Sequence, residues 1–370
     1  MIRKLLVTGA HGFVGSNLSV HLRELTNTDV LTFGRDDSMK ALKSLVSQAD
    51  FIVHLAGENR PTNSMAFDQV NTELTRTLCN VIQETGRNIP LILTSSAQAT
   101  NDSPYGKSKL AAEIVVKEYV KRTNNSVSIY RLPGVFGKWC KPNYNSVVAT
   151  FCYNLARGLP IQVSDPTINL NLVYIDDLIH DFLSLLENFT PGVSEGKLTQ
   201  TYDITLGELE GKIKSFENCR QNLVIENVGV GITRALYATY ISYLPVEKFS
   251  YEVPKYDDNR GSFVEMLRTP ESGQFSFFTI QPGITRGSHY HHSKTEKFLI
   301  IKGLARLKFR HLITNEKYEV TISGGEPTIV DSIPGWIHDI TNIGDSEACV
   351  MLWANELFDR DRPDTIAQEV

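Results

Sequence analysis

The chain has 370 residues, 41% of them hydrophobic and 21% charged, and a net charge of −5. That length exceeds what one hydrophobic core comfortably organises, so two domains are expected. The composition excludes a disordered chain, a nucleic-acid footprint and a polybasic membrane surface, and no apolar run approaches the ~20 residues that span a bilayer. The opening "MIRKLLVTGAHGFVG" has neither the apolar core nor the small-residue cleavage site of a signal peptide. Cys79, Cys140, Cys152, Cys219 and Cys349 are odd in number and lack C-x-x-C spacing. They read as core thiols of a reducing compartment, so a cytoplasmic protein is expected.

From residue 1 to about 185, short apolar strands alternate with helical stretches. "KLLVTG" reads as a strand, 14–26 as a helix, "VLTFG" as a strand, 38–48 as a helix and "DFIVHLAG" as a strand. A helix over 66–86 precedes the strand "PLILTSS", and the helix "SKLAAEIVVKEYVKRT" precedes the strand "VSIYRLP". Continuously apolar strands between amphipathic helices imply a doubly wound parallel sheet covered on both faces. In 186–245 the helices "TLGELEGKIKSFENC" and "TRALYATYISYLP" are expected. Beyond residue 255 the texture changes to short strands punctuated by Gly and Pro, among them "SFFTIQP", "KFLIIKG", "LARLKFRH", "EPTIVD" and "VMLWANE". This is the texture of an antiparallel barrel or jelly roll. The first domain is therefore placed at 1–245, a linker at 246–254 and the second domain at 255–370.

"VTGAHGFVG" sets Gly9, Gly12 and Gly15 between a strand and a helix. Such a turn lets the backbone approach a pyrophosphate, which rests on the helix N-terminus. At the tip of the next strand, in "LTFGRD", Arg35 suits the 2′-phosphate of NADP(H), while the adjacent Asp36 keeps NAD open. Downstream, Tyr105 and Lys109 form a Y-x-x-x-K pair on one helix face. A nearby ammonium is expected to lower the phenol pKa from its usual value of about 10, and the phenol can then protonate a ketone oxygen as hydride reaches its carbon. Ser96, or its neighbour Ser95, would hydrogen-bond the same oxygen.

Three of the nine histidines crowd into "GSHYHHSKTEKF". On a strand His289 and His291 share a face while His292 points away, and a turn returns Glu296 to the same interior. His338 in "PGWIHDITN" supplies a fourth group from another strand. Three imidazoles and a carboxylate suit a divalent metal, zinc first among several. A solvated His-rich turn and metal-free proton chemistry are the competing readings.

These motifs resemble known families. The first 245 residues resemble the extended short-chain dehydrogenase/reductases that act on nucleotide sugars, a Rossmann-like fold, through the glycine turn, "DFIVHLAG", Asn71, the Y-x-x-x-K pair, "YRLPGVFGKW" and "LVYIDDLI". The resemblance implies Ser96, Tyr105 and Lys109 as the catalytic set, and Gly9, Gly12, Phe13, Val14, Gly15, Arg35, Asp50 and Ala56 with Tyr105 and Lys109 at the cofactor. Gly283 to Gly303 is similar to the first cupin motif, and Gly335 through His338 to Asn342 to the second, with a proline shifted by one place. "DDNRGSFVEML", with Arg260, and "TRGSHYHH" also resemble the metal-free dTDP-sugar 3,5-epimerases, in which His289 would be the base rather than a ligand.

The whole chain resembles the CapF/FnlB/WbjC-type enzymes of bacterial capsule and O-antigen synthesis, most closely in "FGKWCKPNYNSVVATFCYNLARG" and the terminal "NELFDRDRPDT". That resemblance implies a bacterial enzyme acting on a UDP-linked 4-keto amino sugar, UDP-2-acetamido-2,6-dideoxy-β-L-arabino-4-hexulose. C3 would be inverted at a zinc cupin and C4 reduced with NADPH, giving the L-talose product of the UDP-N-acetyl-L-fucosamine route. Arg131, Lys141, Asn143, Tyr144, Arg260 and His292 are candidates for contacting substrate, and a homodimer is expected. Two other readings stay open: a reductase whose cupin only supports the assembly, and a nucleotide-sugar sensor.

Overall fold

A computed structural model describes all residues except 1, 2, 26, 62, 64, 187, 360 and 362. Two compact units divide the chain, Met1–Ile213 with Ala235–Leu244, and Lys214–Arg234 with Pro245–Val370. The segment Lys214–Arg234, which the sequence reading kept in the first domain, groups with the second unit. There Leu223 and Ile225 exchange main-chain hydrogen bonds of 2.8 Å with Arg268.

In the first unit the elements run β1 (Arg3–Thr8), α1 (Phe13–Glu24), β2 (Thr28–Phe33), α2 (Met39–Gln48), β3 (Phe51–His54), α3 (Met65–Phe67), α4 (Leu74–Glu84), β4 (Leu91–Ser96) and α5 (Pro104–Thr123). They continue with β5 (Ser126–Leu132), β6 (Gly134–Phe136), α6 (Val147–Ala156), β7 (Asn169–Tyr174), α7 (Ile175–Leu185), β8 (Gly192–Glu195) and β9 (Tyr202–Thr205). Helices α8 (Leu206–Asn222) and α9 (Gly231–Ser242) lie where the two late helices are expected. Strands β2-β1-β3-β4-β5-β8 form one sheet, every pair parallel. The chain winds outward from β1 in both directions, so the loops after β1 and β3 border the crevice at the strands' carboxyl ends where such folds take ligands. Strands β3 and β4 are buried along their whole length, which explains their unbroken apolar runs. Leu6, Ile52, Leu78, Ile82, Leu91 and Val116 fill the core beside them.

The helix expected over 66–86 is not uniform, because Asp68–Glu73 widens into a π-helical turn between α3 and α4. The widened turn carries the buried Asn71, whose amide donates to the Glu58 carbonyl (3.1 Å) and the Ser108 hydroxyl (2.9 Å) while accepting from the Glu58 N–H (2.8 Å). Sequence periodicity does not reveal a local insertion of this kind.

The second unit holds β10 (Lys255–Asp258), β11 (Gly261–Thr269), β12 (Gly273–Ile280), β13 (Thr285–Tyr290), β14 (Glu296–Lys302), β15 (Leu304–His311) and β16 (Lys317–Ser323). It ends with β17 (Ile329–Asp331), β18 (Trp336–Asn342), β19 (Ala348–Ala354) and β20 (Ile366–Ala367). Two sheets result, β10-β11-β12-β19-β14-β17 and β16-β15-β18-β13-β20, with antiparallel neighbours throughout. Phe278, Phe298, Ile300, Leu307, Phe309, Ile340 and Val350 pack together as the core of this jelly roll. Among the described residues no helix is long and apolar enough to cross a membrane.

Leu78 is wholly buried in the first core. Leu78→Ala is expected to destabilise that unit by about 2–5 kcal/mol in urea unfolding, through lost transfer energy and the cavity left behind.

Candidate active sites

In the first unit, Gly9 follows β1 with φ +71, and a Cβ there would stand 2.7 Å from the Ala56 nitrogen. The turn therefore lies directly against the start of the loop after β3. Gly12 is the N-cap of α1 and offers no side-chain hydrogen bond to the helix, so the first-turn N–H groups around Phe13 and Val14 are left for an anion. Gly15 is buried behind them. Arg35 stands at the end of β2, with its side chain 85% exposed and one guanidinium nitrogen 3.0 Å from Glu58. An exposed ion pair of this kind is weak and leaves the guanidinium able to turn to a phosphate.

Asp50 requires correction. It precedes β3 at the sheet end away from the glycine turn, where its carboxylate accepts from the Lys4 N–H (2.9 Å) and from Arg87 (3.0 Å). Parallel strands start on one sheet edge and finish on the other, so Asp50 and Ala56 bracket the strand and only Ala56 borders the crevice. Asp50 is a structural residue.

Helix α5 carries Tyr105 and Lys109. It starts from Ser103, whose hydroxyl accepts the Gly106 N–H (3.0 Å), with Pro104 in the first turn. A Cβ on Gly106 would lie 2.3 Å from the Gln98 carbonyl, so glycine lets the helix start dock on the loop after β4. That docking sets the Ser96 side chain beside the Tyr105 hydroxyl. Burial raises the Tyr105 pKa and the neighbouring Ser96 hydroxyl offsets it only in part. The expected net lowering does not appear, because burial is the largest influence on the phenol, with the Lys109 ammonium 6.0 Å from the ring centroid. Lys109 is buried, donates to the Thr94 carbonyl (3.1 Å), and is pushed down to about 8 by loss of water.

Ser95 is committed elsewhere: its hydroxyl donates to Glu113 (2.6 Å), and Arg131 forks onto the same carboxylate at 2.8 and 2.7 Å. The choice between the two serines therefore falls on Ser96, and Arg131, a candidate for substrate, holds Glu113. Sequence reasoning passed over Glu113, although it lies four residues after Lys109 on the same helix face. On the loop after β6, the Lys141 ammonium lies 5.2 Å from the Tyr144 ring centroid and the Asn143 N–H donates to Thr150 (3.0 Å). His54 is buried between Thr8 (2.6 Å) and Thr75 (2.9 Å), and burial, with Lys109 adding to it, lowers its pKa to about 3.

The second unit brings His289, His291, Glu296 and His338 together, with candidate ligand atoms all within 4.8 Å of one another. β13 and β18 pair antiparallel with His289 opposite His338, while His291 follows β13 and Glu296 opens β14. The Nε2 atoms of His291 and His338 lie 3.3 and 3.5 Å from one Glu296 oxygen, close but not aligned as hydrogen bonds, and the Lys294 ammonium takes the other oxygen at 3.0 Å. Burial opposes the charge on Glu296, but the facing imidazoles and Lys294 outweigh it and hold the carboxyl far below its usual range. His289 is lowered to about 4, chiefly by burial and then by His338, so its ring is neutral and its lone pair free. The Nε2 atoms of all three histidines are buried without a hydrogen-bond partner. Orphaned buried nitrogens are costly, and their convergence on one carboxylate fits a cation bound by neutral imidazoles.

His292 is exposed, its ring edge-on to Tyr290 with centroids 5.5 Å apart. Arg260 is exposed and forks onto Asp258 at 2.9 and 2.5 Å. Neither shares the interior of the cluster. Sequence reasoning missed the buried Lys294, two residues before Glu296, and Asp364. The Asp364 carboxylate accepts from the N–H groups of His292 (2.8 Å), Ser293 (2.7 Å) and Lys294 (2.8 Å). Burial would raise this carboxyl, and the three N–H groups hold it well below the usual range.

The first unit is thus a nicotinamide-dinucleotide-binding fold with a Ser–Tyr–Lys set at its crevice. A model of the NAD dependent epimerase/dehydratase family matches residues 5–199, and one of the polysaccharide biosynthesis C-terminal domain matches 256–366. The chain belongs to the NAD dependent epimerase/dehydratase family. It is 51% identical, over 99% of both chains, to a Pseudomonas aeruginosa protein called UDP-2-acetamido-2,6-beta-L-arabino-hexul-4-ose reductase. The crystal structure of the capsular polysaccharide assembling protein CapF from Staphylococcus aureus matches with a TM-score of 0.91 at 40% identity, over 99% of this chain and 100% of that one. WbmF of Bordetella bronchiseptica, in complex with NAD+, is similar in fold alone, at 19% identity and a TM-score of 0.55 over 65% of this chain and 92% of that one.

The His54 pKa gives a stability prediction with a definite sign. Folding keeps the ring neutral, so the unfolded chain binds the proton more readily. Stability is full above the unfolded value of about 6.5 and is lost as pH falls towards about 3. Urea unfolding of the first unit should lose about 2 kcal/mol between pH 7.5 and pH 5 through this group, and His54→Gln should remove that share of the pH dependence.

Proposed function

We propose that the chain is a bifunctional nucleotide-sugar enzyme of capsule or O-antigen synthesis. It inverts C3 of UDP-2-acetamido-2,6-dideoxy-β-L-arabino-4-hexulose at the second unit, and reduces C4 with NADPH at the first to give UDP-2-acetamido-2,6-dideoxy-β-L-talose. The observation that carries the reading is the Tyr105 hydroxyl, set beside Ser96 and kept protonated by burial, one helical turn before a buried Lys109. The names of the 51% identical reductase and of the capsular protein from Staphylococcus aureus support the sugar and the setting.

NADPH, when bound, supplies the hydride to C4. Tyr105 gives its proton to the C4 oxygen, Ser96 orients that oxygen, and Lys109 supplies the positive charge that eases loss of the phenolic proton. Arg35 would take the 2′-phosphate that distinguishes NADPH. In the second unit His289, His291, His338 and Glu296 would hold a divalent cation, zinc first among the candidates. Such a cation supplies Lewis-acid polarisation of a ketone oxygen. Lys294 keeps one Glu296 oxygen occupied, and Phe298 and Phe309, with ring centroids 5.9 and 6.1 Å from that of His338, flank the cluster with apolar surface.

The order of steps follows from carbon acidity. The C3 proton is acidic only while C4 is a ketone that can take up the electron pair, and reduction destroys that ketone. Epimerisation therefore precedes hydride transfer.

Incubation of the protein with the 4-keto sugar and NADPH should give the talo product by NMR. Tyr105→Phe should lower kcat by about 10²–10⁴-fold with NADPH binding retained. Reduction unaffected by Tyr105→Phe would remove Tyr105 from the proton transfer, and no reduction by wild type would revive the sensor reading. In D₂O without NADPH, wild-type protein should place deuterium at C3, and folded His289→Ala and His338→Ala should not. Full exchange in both variants would sink the metal-assisted mechanism, and no exchange in wild type would leave the cupin a supporting module and the chain a reductase alone.

A further inference from the structure

We propose that Asp364 is the positioning residue of the His/Glu cluster: it fixes the backbone of residues 291–294 and the orientation of the His291 ring before any cation arrives. The proposal rests on the metal-site reading above.

The link from β13 to β14 carries His291 and leads into Glu296, but it lies outside both strands. Its N–H groups at 292, 293 and 294 therefore have no strand partner, and in an unbraced link the two ligands at its ends would wander. One carboxylate supplies the missing partners. Asp364 Oδ1 accepts from His292 N–H (2.8 Å), and Oδ2 accepts from Ser293 N–H (2.7 Å), Ser293 hydroxyl (3.0 Å) and Lys294 N–H (2.8 Å). The same residue acts on the ring through its main chain, because its carbonyl accepts from Nδ1 of His291. A carbonyl oxygen cannot donate, so Nδ1 carries a proton, and Nε2, which faces Glu296, is the atom left to present a lone pair to a cation.

The segment that follows reaches His289 as well. Ala367 pairs with His289, Ile366 with Tyr290, and the Gln368 N–H donates to the Ser288 carbonyl at 2.9 Å. From the other side, the His291 carbonyl accepts the Gly335 N–H (2.9 Å), which ties the link to the turn before His338. Residues 364–368 thus brace two of the three histidines, and the Asp364 carboxylate is the point where the brace grips the link. Partners of this kind, one shell behind a ligand, typically govern metal affinity by 10–100-fold.

The test compares metal-stripped wild type, Asp364→Ala and Asp364→Asn in the full-length chain. Zinc affinity is read by competition with a chromophoric chelator, and the His291 tautomer by nitrogen-15 NMR of the metal-free protein. Asp364→Ala should weaken zinc about 10–100-fold and mix the His291 tautomers, while NADPH binding to the first unit is kept. Asp364→Asn, which retains one acceptor oxygen, should fall between. If Asp364→Ala does not fold, Asp364→Asn carries the comparison alone. Zinc affinity within twofold of wild type and an unchanged tautomer in the folded variants overturn the proposal, even if both variants melt earlier. Should wild type itself bind no zinc, the metal reading fails, and the tautomer measurement still decides whether Asp364 sets the ring.

Discussion

The carboxylate of Glu296 is shut inside an apolar barrel, and most of the second unit's local geometry follows from keeping it there. Removing a carboxylate from water costs several kcal/mol unless opposite charge and hydrogen-bonding groups replace the lost water. The Lys294 ammonium supplies part of the replacement at one oxygen, while the imidazoles of His291 and His338 close in on the other from separate stretches of chain. The strands must meet in a register that ordinary pleating does not give. A shift between Gly287 and His289, with Ser288 in the left-handed region at φ 59, turns β13 so that His289 faces His338. The strain of that one residue is local; the convergence it permits is what makes the cluster chemically distinct from a histidine-rich surface turn.

The first unit meets a milder form of the same constraint. Its reactive groups lie at the carboxyl ends of strands buried on both faces, so they lose water by position. Burial weakens the proton affinity of Lys109 and strengthens that of Tyr105. For a group that must deliver a proton to a ketone, a phenol that holds its proton until the substrate is bound is an advantage. Lys109 then eases the transfer without stripping the phenol beforehand. The widened turn at Asn71 serves this arrangement, since its amide ties the loop at Glu58 to Ser108, the residue before Lys109.

Spacing made some of this legible in the sequence and left the rest hidden. The glycine turn, the Tyr105/Lys109 pair and the His-x-His stretch are short-range patterns whose geometry follows from helix or strand period. The alternation of apolar strands and helices likewise announced the parallel sheet, and the change in texture near residue 255 announced the barrel. What escaped were partnerships across long stretches of chain. Asp364 meets a link some seventy positions earlier, and nothing around "RPDT" distinguishes it from other surface acids. Glu113 could have been suspected from its helix spacing to Lys109, yet its bonds to Ser95 and Arg131 depend on how β4 and β5 align. Asp50 failed for the opposite reason, since its motif was recognised but the motif does not say which end of the strand faces the cofactor.

On the proposed reading, the two chemistries also differ in direction. Inversion at one carbon exchanges a C–H bond for another of the same kind, so its equilibrium lies near balance and no site can make it run to completion. Hydride transfer from a reduced nicotinamide to a ketone runs strongly downhill and removes the carbonyl on which inversion depends. Reduction therefore both drains the equilibrium and fixes the configuration reached at C3. The burden of selecting one epimer then falls on the reductase rather than on the barrel. In the first unit that selection must come from whatever surrounds the oxygen held by Ser96 and Tyr105, since the glycine turn and Arg35 touch only the far parts of the cofactor. A cupin that merely equilibrates can be tolerant, and it needs a rigid, dry cluster more than a discriminating one. That is the kind of site which Glu296, its three imidazoles and the brace at Asp364 form.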